Sequence, residues 1–485
     1  MATGSFWDCE VWSLIVLVSM LLFSLLIANL IKKTIPFLKR SLIPASVLGG
    51  LILLFISTIY YLITKEVYFN LPMFGSSWYQ KVNSSGDFVI VTKTGTEILE
   101  IITYHCLGIG FIAMALRDNK KPLDKKSTRD IFNSGCTTVS SYLIQAIFGI
   151  GITVIFGLLS SKVFKASGLL MSFGYGQGTG QALNWGSIYE NDNGFVGGAN
   201  FGLTIAALGF LSASIGGVIF LNYLKKKGKV VQASEEETKA VYLEEIQAKD
   251  EIPMNGGIDK ITIQIAAILS IYALSYVLMY CLSALVPGFK SIIYGFNFLI
   301  GTLLAILTKV ILKYAAKHGL VKKKYLNTFM MNRIGGFAFD LMIVAGIAAI
   351  QIQLIQNYWY VLLVLGIIGA VVTFAYNLFV SKVLFKDYQY EQFFAMYGML
   401  TGTASTGVIL LREIDPEFKT PASNNLIFQT LPAIVFGFPM MLLAGYCPQS
   451  DTATYITLGI CVIFFAFMNI ILFRNQIFKR RKAKE

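Results

Sequence analysis

The chain has 485 residues, of which 55% are hydrophobic and 14% charged, with a mean hydropathy of +0.65. A soluble core of that size does not need so much apolar sequence, so the composition excludes an ordinary soluble enzyme and points to a polytopic membrane protein. The net charge of +13 sits in short basic clusters between apolar stretches, which is how loops set membrane topology and not how a nucleic-acid surface is built.

An apolar stretch crosses the hydrocarbon when it reaches roughly 20 helical residues. The first runs 11–31, and no basic residue precedes Lys32, so it reads as a retained span and not a cleaved leader. The second, 42–63, opens Ile43-Pro44-Ala45 and carries Gly49-Gly50. A weakly charged loop with Trp78 and Tyr79 follows, of a kind suited to the membrane interface. The third span is 98–116 and the fourth 131–159, with six basic residues between 117 and 129. A glycine-rich region, 162–193, precedes the fifth span, 194–224, whose Gly216-Gly217 suits close helix packing.

The segment 225–257 is basic and then acidic and has no apolar period, so it reads as an exposed linker. The layout then repeats. Spans at 258–285, 291–314, 326–351 and 358–385 lead to a second glycine-rich region, 386–425, and a tenth span at 426–446. An eleventh span, 452–473, and a basic tail complete residues 447–485. The predicted fold is therefore all-α: residues 1–224 and 258–446 form two five-span halves, each with a break before its fifth span.

Charge sets the orientation. With the N-terminus outside and the C-terminus inside, nearly all loop lysines and arginines lie on inner segments, and the outer ones hold only Lys65, Lys81, Lys93, Lys162, Lys165 and Lys290. Five is odd, so the halves have opposite topology, which is the inverted-repeat pattern of secondary transporters.

The two glycine runs, Phe173-Gly174-Tyr175-Gly176-Gln177-Gly178-Thr179-Gly180-Gln181 and Tyr397-Gly398-Met399-Leu400-Thr401-Gly402-Thr403-Ala404-Ser405-Thr406, align at an offset of 224 residues. That offset places Gly174 on Gly398, Gly178 on Gly402 and Thr179 on Thr403. Unwound backbone in hydrocarbon is costly unless it is buried in protein or lines a wet cavity. A re-entrant hairpin ending mid-membrane puts a half-helix N-terminus there, which suits a carboxylate, while unwound carbonyls suit sodium. Candidate substrate ligands are Gly178, Thr179, Gly180, Gln181, Thr403, Ala404, Ser405, Thr406 and Arg412, the last offering a bidentate fork to a carboxylate. Candidate cation ligands are Gly176, Gln177, Thr401, Gly402, Asn200, Asp340 and Asn424. Asp340 enters as an intramembrane acid, and Asn200 and Asn424 as polar residues just after each hairpin. The competing reading makes Gly174-x-x-x-Gly178 and Gly398-x-x-x-Gly402 plain packing motifs, Arg412 a surface arginine beside Glu413 and Asp415, and Asp340 a partner for Arg333. His105 reads as a packing histidine.

Six scattered cysteines without metal spacing and two histidines point to neither a disulfide framework nor a metal centre other than a sodium site. A hydrolase would want a nucleophile and base at one depth, and His105 has no such companion.

At these residues the chain resembles the bacterial sodium/glutamate symporter family, a fold relative of the sodium/citrate 2-hydroxycarboxylate symporters. The matching stretches are Ile43-Pro44-Ala45-Ser46-Val47-Leu48-Gly49-Gly50, the glycine hairpin after the fourth span, Asn200-Phe201-Gly202-Leu203, and Thr401-Gly402-Thr403-Ala404-Ser405-Thr406-Gly407 with Leu411-Arg412. The resemblance implies a homodimer in the bacterial inner membrane, with a dimerising scaffold and a transport unit carrying both hairpins. It implies sodium-driven uptake of glutamate or a similar small carboxylate by alternating access, with no cofactor beyond the coupling ion. Gln177 stands where family members typically carry a histidine. A dicarboxylate symporter, a sodium/proton antiporter and a channel are the other transport readings; an antiporter would want paired intramembrane acids.

Overall fold

The structure, a computed structural model, describes residues 6–36, 38, 42–82, 88–117, 125–230, 258–320, 323–416, 419–474 and 476. Most of the linker (231–257), part of the basic loop after the third span (118–124) and the end of the tail (477–485) lie outside the described residues. Among the described residues, eleven helices have the length and hydropathy to cross a membrane, the composition of an all-α polytopic membrane protein.

In the first half these are α1 (Cys9–Thr34), α2 (Ala45–Thr64), α3 (Gly95–Leu116) and α4 (Lys125–Leu159); the short helices α5 (Leu170–Gln177) and α6 (Thr179–Asn193) follow, and then α7 (Gly198–Lys226). The lysines closing α1 and α7, Lys32 and Lys33, Lys225 and Lys226, meet the negative end of each helix dipole. α2 starts directly after Pro44 and stops at Lys65, held left-handed at φ 63°. α3 opens on a capping box in which the Thr94 hydroxyl accepts from Glu97 N and the Glu97 carboxylate accepts from Thr94 N. Its partner α4 begins six residues before the expected 131. The basic run there continues the helix, which at about 1.5 Å per residue reaches some 52 Å and must emerge from the hydrocarbon.

The loop between α2 and α3 is where the all-α expectation needs correction. Two 3-10 turns lead to an antiparallel hairpin, β1 (Ser76–Val82) and β2 (Phe88–Lys93), paired from Ser76↔Lys93 to Val82↔Phe88. The run Phe88-Val89-Ile90-Val91-Thr92 is made of strand formers without helical period. The side chains of Trp78 and Tyr79 lie outside what is described.

The second half supplies α8 (Lys260–Leu285), α9 (Asn297–Lys317), α10 (Thr328–Ala348), α11 (Trp359–Leu384), α12 (Gln389–Leu400), α13 (Ala404–Arg412), α14 (Ala422–Phe428) and α15 (Thr430–Tyr446), and α16 (Asp451–Leu472) closes the chain. The seventh span is shorter than 291–314 implied at its start, because a separate turn, Lys290–Gly295, precedes it. The tenth is divided at Gln429 into α14 and α15, where Pro432 removes a backbone donor from the first turn of α15.

Helices α1, α2, α3, α8, α9 and α10 pack with one another, and α4 to α7 pack with α11 to α16. The two groups meet chiefly where α6 lies on α3 and α10. Third span packs on eighth (α3 on α10) and fourth on ninth (α4 on α11). Second packs on eighth (α2 on α10) as seventh packs on third (α9 on α3), and fifth on ninth (α7 on α11) as tenth on fourth (α15 on α4).

Close helix approach is set by glycine. A Cβ on Gly149 of α4 would strike the Gly168 carbonyl, and Gly168 N donates to Thr153 Oγ1 (3.2 Å), whose hydroxyl donates to Lys165 O (2.6 Å). A Cβ on Gly151, two residues along, would meet nothing within 4 Å. Gly149→Ala is therefore expected to lower the apparent thermal midpoint of the purified protein, in line with an overpacking cost of ~1–3 kcal/mol. Gly151→Ala should leave it within a degree or so by scanning fluorimetry.

Candidate functional site where two broken helices meet

The first break is a single residue. Gly178 joins α5 to α6 with φ +79° and ψ −169°, a conformation that glycine alone adopts without strain. α5 lies alongside α7 in the same direction: a Cβ on Gly174 would come within 2.7 Å of Ile205, and Tyr175 shares a 2.9 Å hydroxyl contact with Ser212 further along. α6 runs back against it, Ala182 meeting Gly202 and Gly186 meeting Gly198. Both ends of the pair return to one place, where Phe164 and Phe195 stack with ring centroids 4.9 Å apart. The Glu190 carboxylate there accepts from Gly197 N (3.1 Å) and Ala199 N (3.0 Å), at the start of α7. Lys165 pairs with Asp451 of α16, and that hydrogen bond holds its ammonium above the ordinary lysine value.

The second break is Thr401-Gly402-Thr403, between α12 and α13. Its arms are in backbone contact: a Cβ on Gly398 would lie 2.8 Å from Gly407 Cα. At the foot of this pair, Tyr388 donates to Asp130 Oδ2 of α4 (2.8 Å), and Asn425 Nδ2 donates to Tyr388 Oη (2.9 Å) and Gln392 Oε1 (3.0 Å).

The breaks touch. A Cβ on Gly178 would stand 3.1 Å from Thr403 Cγ2 and 3.3 Å from Gly402 O. Between them sits the Phe210 ring of α7, 2.9 Å from the Cβ position of Gly402 and 3.8 Å from that of Gly178. Tyr397 donates to Ser212 O (2.9 Å) and Tyr175 to Gly366 O (2.6 Å), tying both incoming arms to α7 and α11. Four helix ends thus converge. The N-termini of α6 and α13 bring N–H groups that a helix leaves free, and the C-terminus of α5 brings carbonyls without backbone donors. At the end of α12, by contrast, the carbonyls of Tyr397, Met399 and Leu400 accept from Thr401 N, Gly402 N and Gln145 Nε2. Such an arrangement favours an anion on one side and a cation on the other.

Gly176, Gln177, Gly178, Thr179, Gly180, Gln181, Thr401, Gly402, Thr403, Ala404, Ser405 and Thr406 are brought together at this junction. Thr179 Oγ1 donates to Met342 O of α10 (3.4 Å), a Cβ on Gly180 would meet Leu107 and Met342 at 2.8 Å, and the buried Gln181 amide has no hydrogen-bond partner. The first break is closed over by α3 and α10, whereas Thr403, Ala404 and Ser405 are only half-buried. On α13, Ser405, Val408, Ile409 and Arg412 share one half-exposed face at helical spacing. Arg412 is the last residue of that helix, about 10 Å below Ser405.

Three candidates lie elsewhere. Asp340 is two residues, about 200° of helix, from Met342 and so faces away from Thr179, exposed beside Ser46 of α2. Arg333 is two turns from it, its guanidinium over the Phe329 ring. Asn200 is ten residues before Phe210, about 15 Å along α7, and its Oδ1 accepts from Gln351 N (2.6 Å). Asn424 is half-buried on α14, where its neighbour Asn425 makes the polar contacts. His105 is exposed on α3 where the sequence suggested a packing residue, and its Nδ1 lies 2.7 Å from the Tyr272 hydroxyl. Gly216-Gly217 admit Tyr397 and Leu410 to the surface of α7, so the packing role of small residues holds alongside the breaks. Phe210, Ser212 and Gln145 are the junction residues missed by sequence reasoning. Gln145, a polar residue within the fourth span, carried a legible signal; Phe210 is one of 37 phenylalanines and carried none.

Compared with protein-family models and with curated proteins, the chain matches none.

The difference in burial between the breaks is measurable. In a background lacking the exposed Cys9 and Cys281, Ser405→Cys is expected to react with a small thiol reagent at least tenfold faster than Gln181→Cys. Equal rates would mean that the first break is as open as the second.

Proposed function

We propose that the chain is a sodium-coupled secondary symporter that imports glutamate or a similar small carboxylate by alternating access. The observation that carries the reading is the contact of Gly178 with Thr403 and Gly402, two helix breaks more than 200 residues apart in sequence. Broken helices with paired dipole ends are how carriers hold an anion and its coupling cation without a fixed metal centre. In this reading each pair of short helices is a re-entrant hairpin. The span-on-span contacts named above, which exchange with one another when spans one to five are swapped with six to ten, support two inverted repeats, although the packing of α6 on α3 and α10 has no comparable counterpart at α13. The resemblance to sodium/glutamate symporters points the same way and adds a homodimer in the bacterial inner membrane.

The roles follow from the dipoles. The free N–H groups of Thr179, Gly180, Gln181 and of Ala404, Ser405, Thr406 receive the substrate carboxylate, with the Thr403 and Ser405 hydroxyls as adaptable donors. Arg412, on the Ser405 face, offers its guanidinium to a second carboxylate two turns away. The group of α1, α2, α3, α8, α9 and α10 acts as scaffold, and the group carrying both breaks moves against it along the contact of α6 with α3 and α10. With that contact closed and the α13 face half-exposed, the site opens on the α13 side.

Reconstituted into liposomes, the protein should accumulate labelled glutamate under an inward sodium gradient and not under a potassium gradient of equal size. If no amino acid or dicarboxylate moves under either gradient, the reading is wrong. Arg412→Ala should cut uptake by at least tenfold while the protein elutes unchanged on size exclusion; full uptake by that variant would remove Arg412 from the site.

A further inference from the structure

Gln145 lies on α4 and is completely buried. Its amide nitrogen donates to Leu400 O (2.9 Å), at the C-terminal end of α12, and to Thr373 Oγ1 of α11 (2.9 Å). Its amide oxygen has no hydrogen-bond partner, and stands 3.2 Å from where a Cβ would lie on Gly176, in the last turn of α5. One buried oxygen is therefore held between the C-terminal ends of the two incoming half-helices. The break at Gly178 also leaves the last four carbonyls of α5 without the N–H groups that a continuous helix would bring. Among the described residues no backbone N–H replaces them. One turn along α11, Asn377 Nδ2 donates to Thr373 O (2.9 Å) and Ser141 Oγ (3.3 Å), and its own Oδ1 is likewise buried and unpartnered.

Buried polar atoms without partners are rare and costly, and here two amide oxygens of one contact network lack a donor. What the place offers is oxygen lone pairs and the negative end of α5, which favour a partner that carries positive charge. The described residues hold no cluster of acidic, histidine or cysteine side chains fit for a metal ion, so a divalent ion would go unneutralised. Neutral oxygens suit a small monovalent cation. We propose that Gln145 Oε1 and the freed carbonyls ending α5 form a buried site for a dehydrated monovalent cation of the sodium class. An occupied site links the first hairpin to the fourth and ninth spans, and thereby orders the break whose far side receives the anion. This inference rests on the transporter reading for its purpose, but not for its test.

The test is a sodium titration of the apparent thermal midpoint of the purified full-length protein, without organic substrate, with choline chloride keeping ionic strength constant. Binding to the native state raises the midpoint saturably. Sodium should do so and calcium should not; a flat sodium response, or calcium saturating at lower concentration than sodium, overturns the site. Gln145→Leu should raise the sodium half-saturation at least tenfold and Gln145→Asn at least threefold, whereas Gly151→Ala should stay within twofold of wild type. An unchanged half-saturation in Gln145→Leu removes Gln145 as a ligand. Should Gln145→Leu fail to fold, the Gln145→Asn titration and the wild-type cation series still decide. Sodium-driven uptake with normal sodium binding by Gln145→Leu sinks this inference alone. Gln145-dependent sodium binding with no uptake of any carboxylate sinks the transporter reading and leaves the site standing.

Discussion

Backbone N–H and C=O groups cannot be left bare in hydrocarbon, and the arrangement around Gly178 and Gly402 follows from that constraint. Each break frees polar groups at two helix ends. Placed singly in lipid, either would be untenable. Brought against each other, with Phe210 between them and α7 and α11 alongside, they form a small polar volume inside an apolar protein. N–H groups on one side and carbonyls on the other favour opposite charges, which is the basis of the proposed symport.

The fifth span, α7, is the post on which this is built. Its Gly202, Gly209, Gly216 and Gly217 admit the backbone or side chains of α5, α6, α12, α13 and Thr401 of the second break at distances no larger residue would permit. The fourth span plays the complementary part. Asp130, Ser134, Thr138, Ser141 and Gln145 recur every three or four residues along one face of α4, so they form a polar stripe. That stripe receives Tyr388, Gln392, Gln429, Asn377 and Leu400 O in turn. Satisfied networks of this kind specify one docking register for the second broken pair. Where the stripe reaches the breaks, satisfaction stops, at Gln145 Oε1 and Gln181.

The two breaks are chemically alike and structurally unequal. Gly178 achieves its turn in one residue at positive φ and is followed by Thr179 and Gly180 packed on α3 and α10, while the second break takes three residues and leaves Thr403 to Ser405 half-exposed. In the proposed alternating-access reading, a single conformation has one closed and one open side, and the asymmetry of the two breaks fits that reading. It also explains why Arg412 and Ser405 face one way and Thr179 another.

The eleven spans, their order and the places of both breaks were legible from apolar run length and glycine density, because in hydrocarbon those two properties alone decide whether a segment can be helical and continuous. The early start of α4 and the β-hairpin before α3 were not, since both lie at the edge of the apolar pattern, where charged residues continue a helix or strand formers pair locally. The junction itself was legible only in part. Gly178 and Thr403 announced themselves by composition. Asp340, Asn200 and Asn424 were read from polarity and position, but helix phase turned Asp340 away, and Asn200 is occupied by the backbone of Gln351. Sequence by itself determined what each segment could tolerate: apolar length, a break, a charge on one end. Which breaks touch, which polar atoms find partners and which are left waiting for one was decided only by tertiary packing, because those outcomes depend on helix rotation and on contacts between residues hundreds of positions apart.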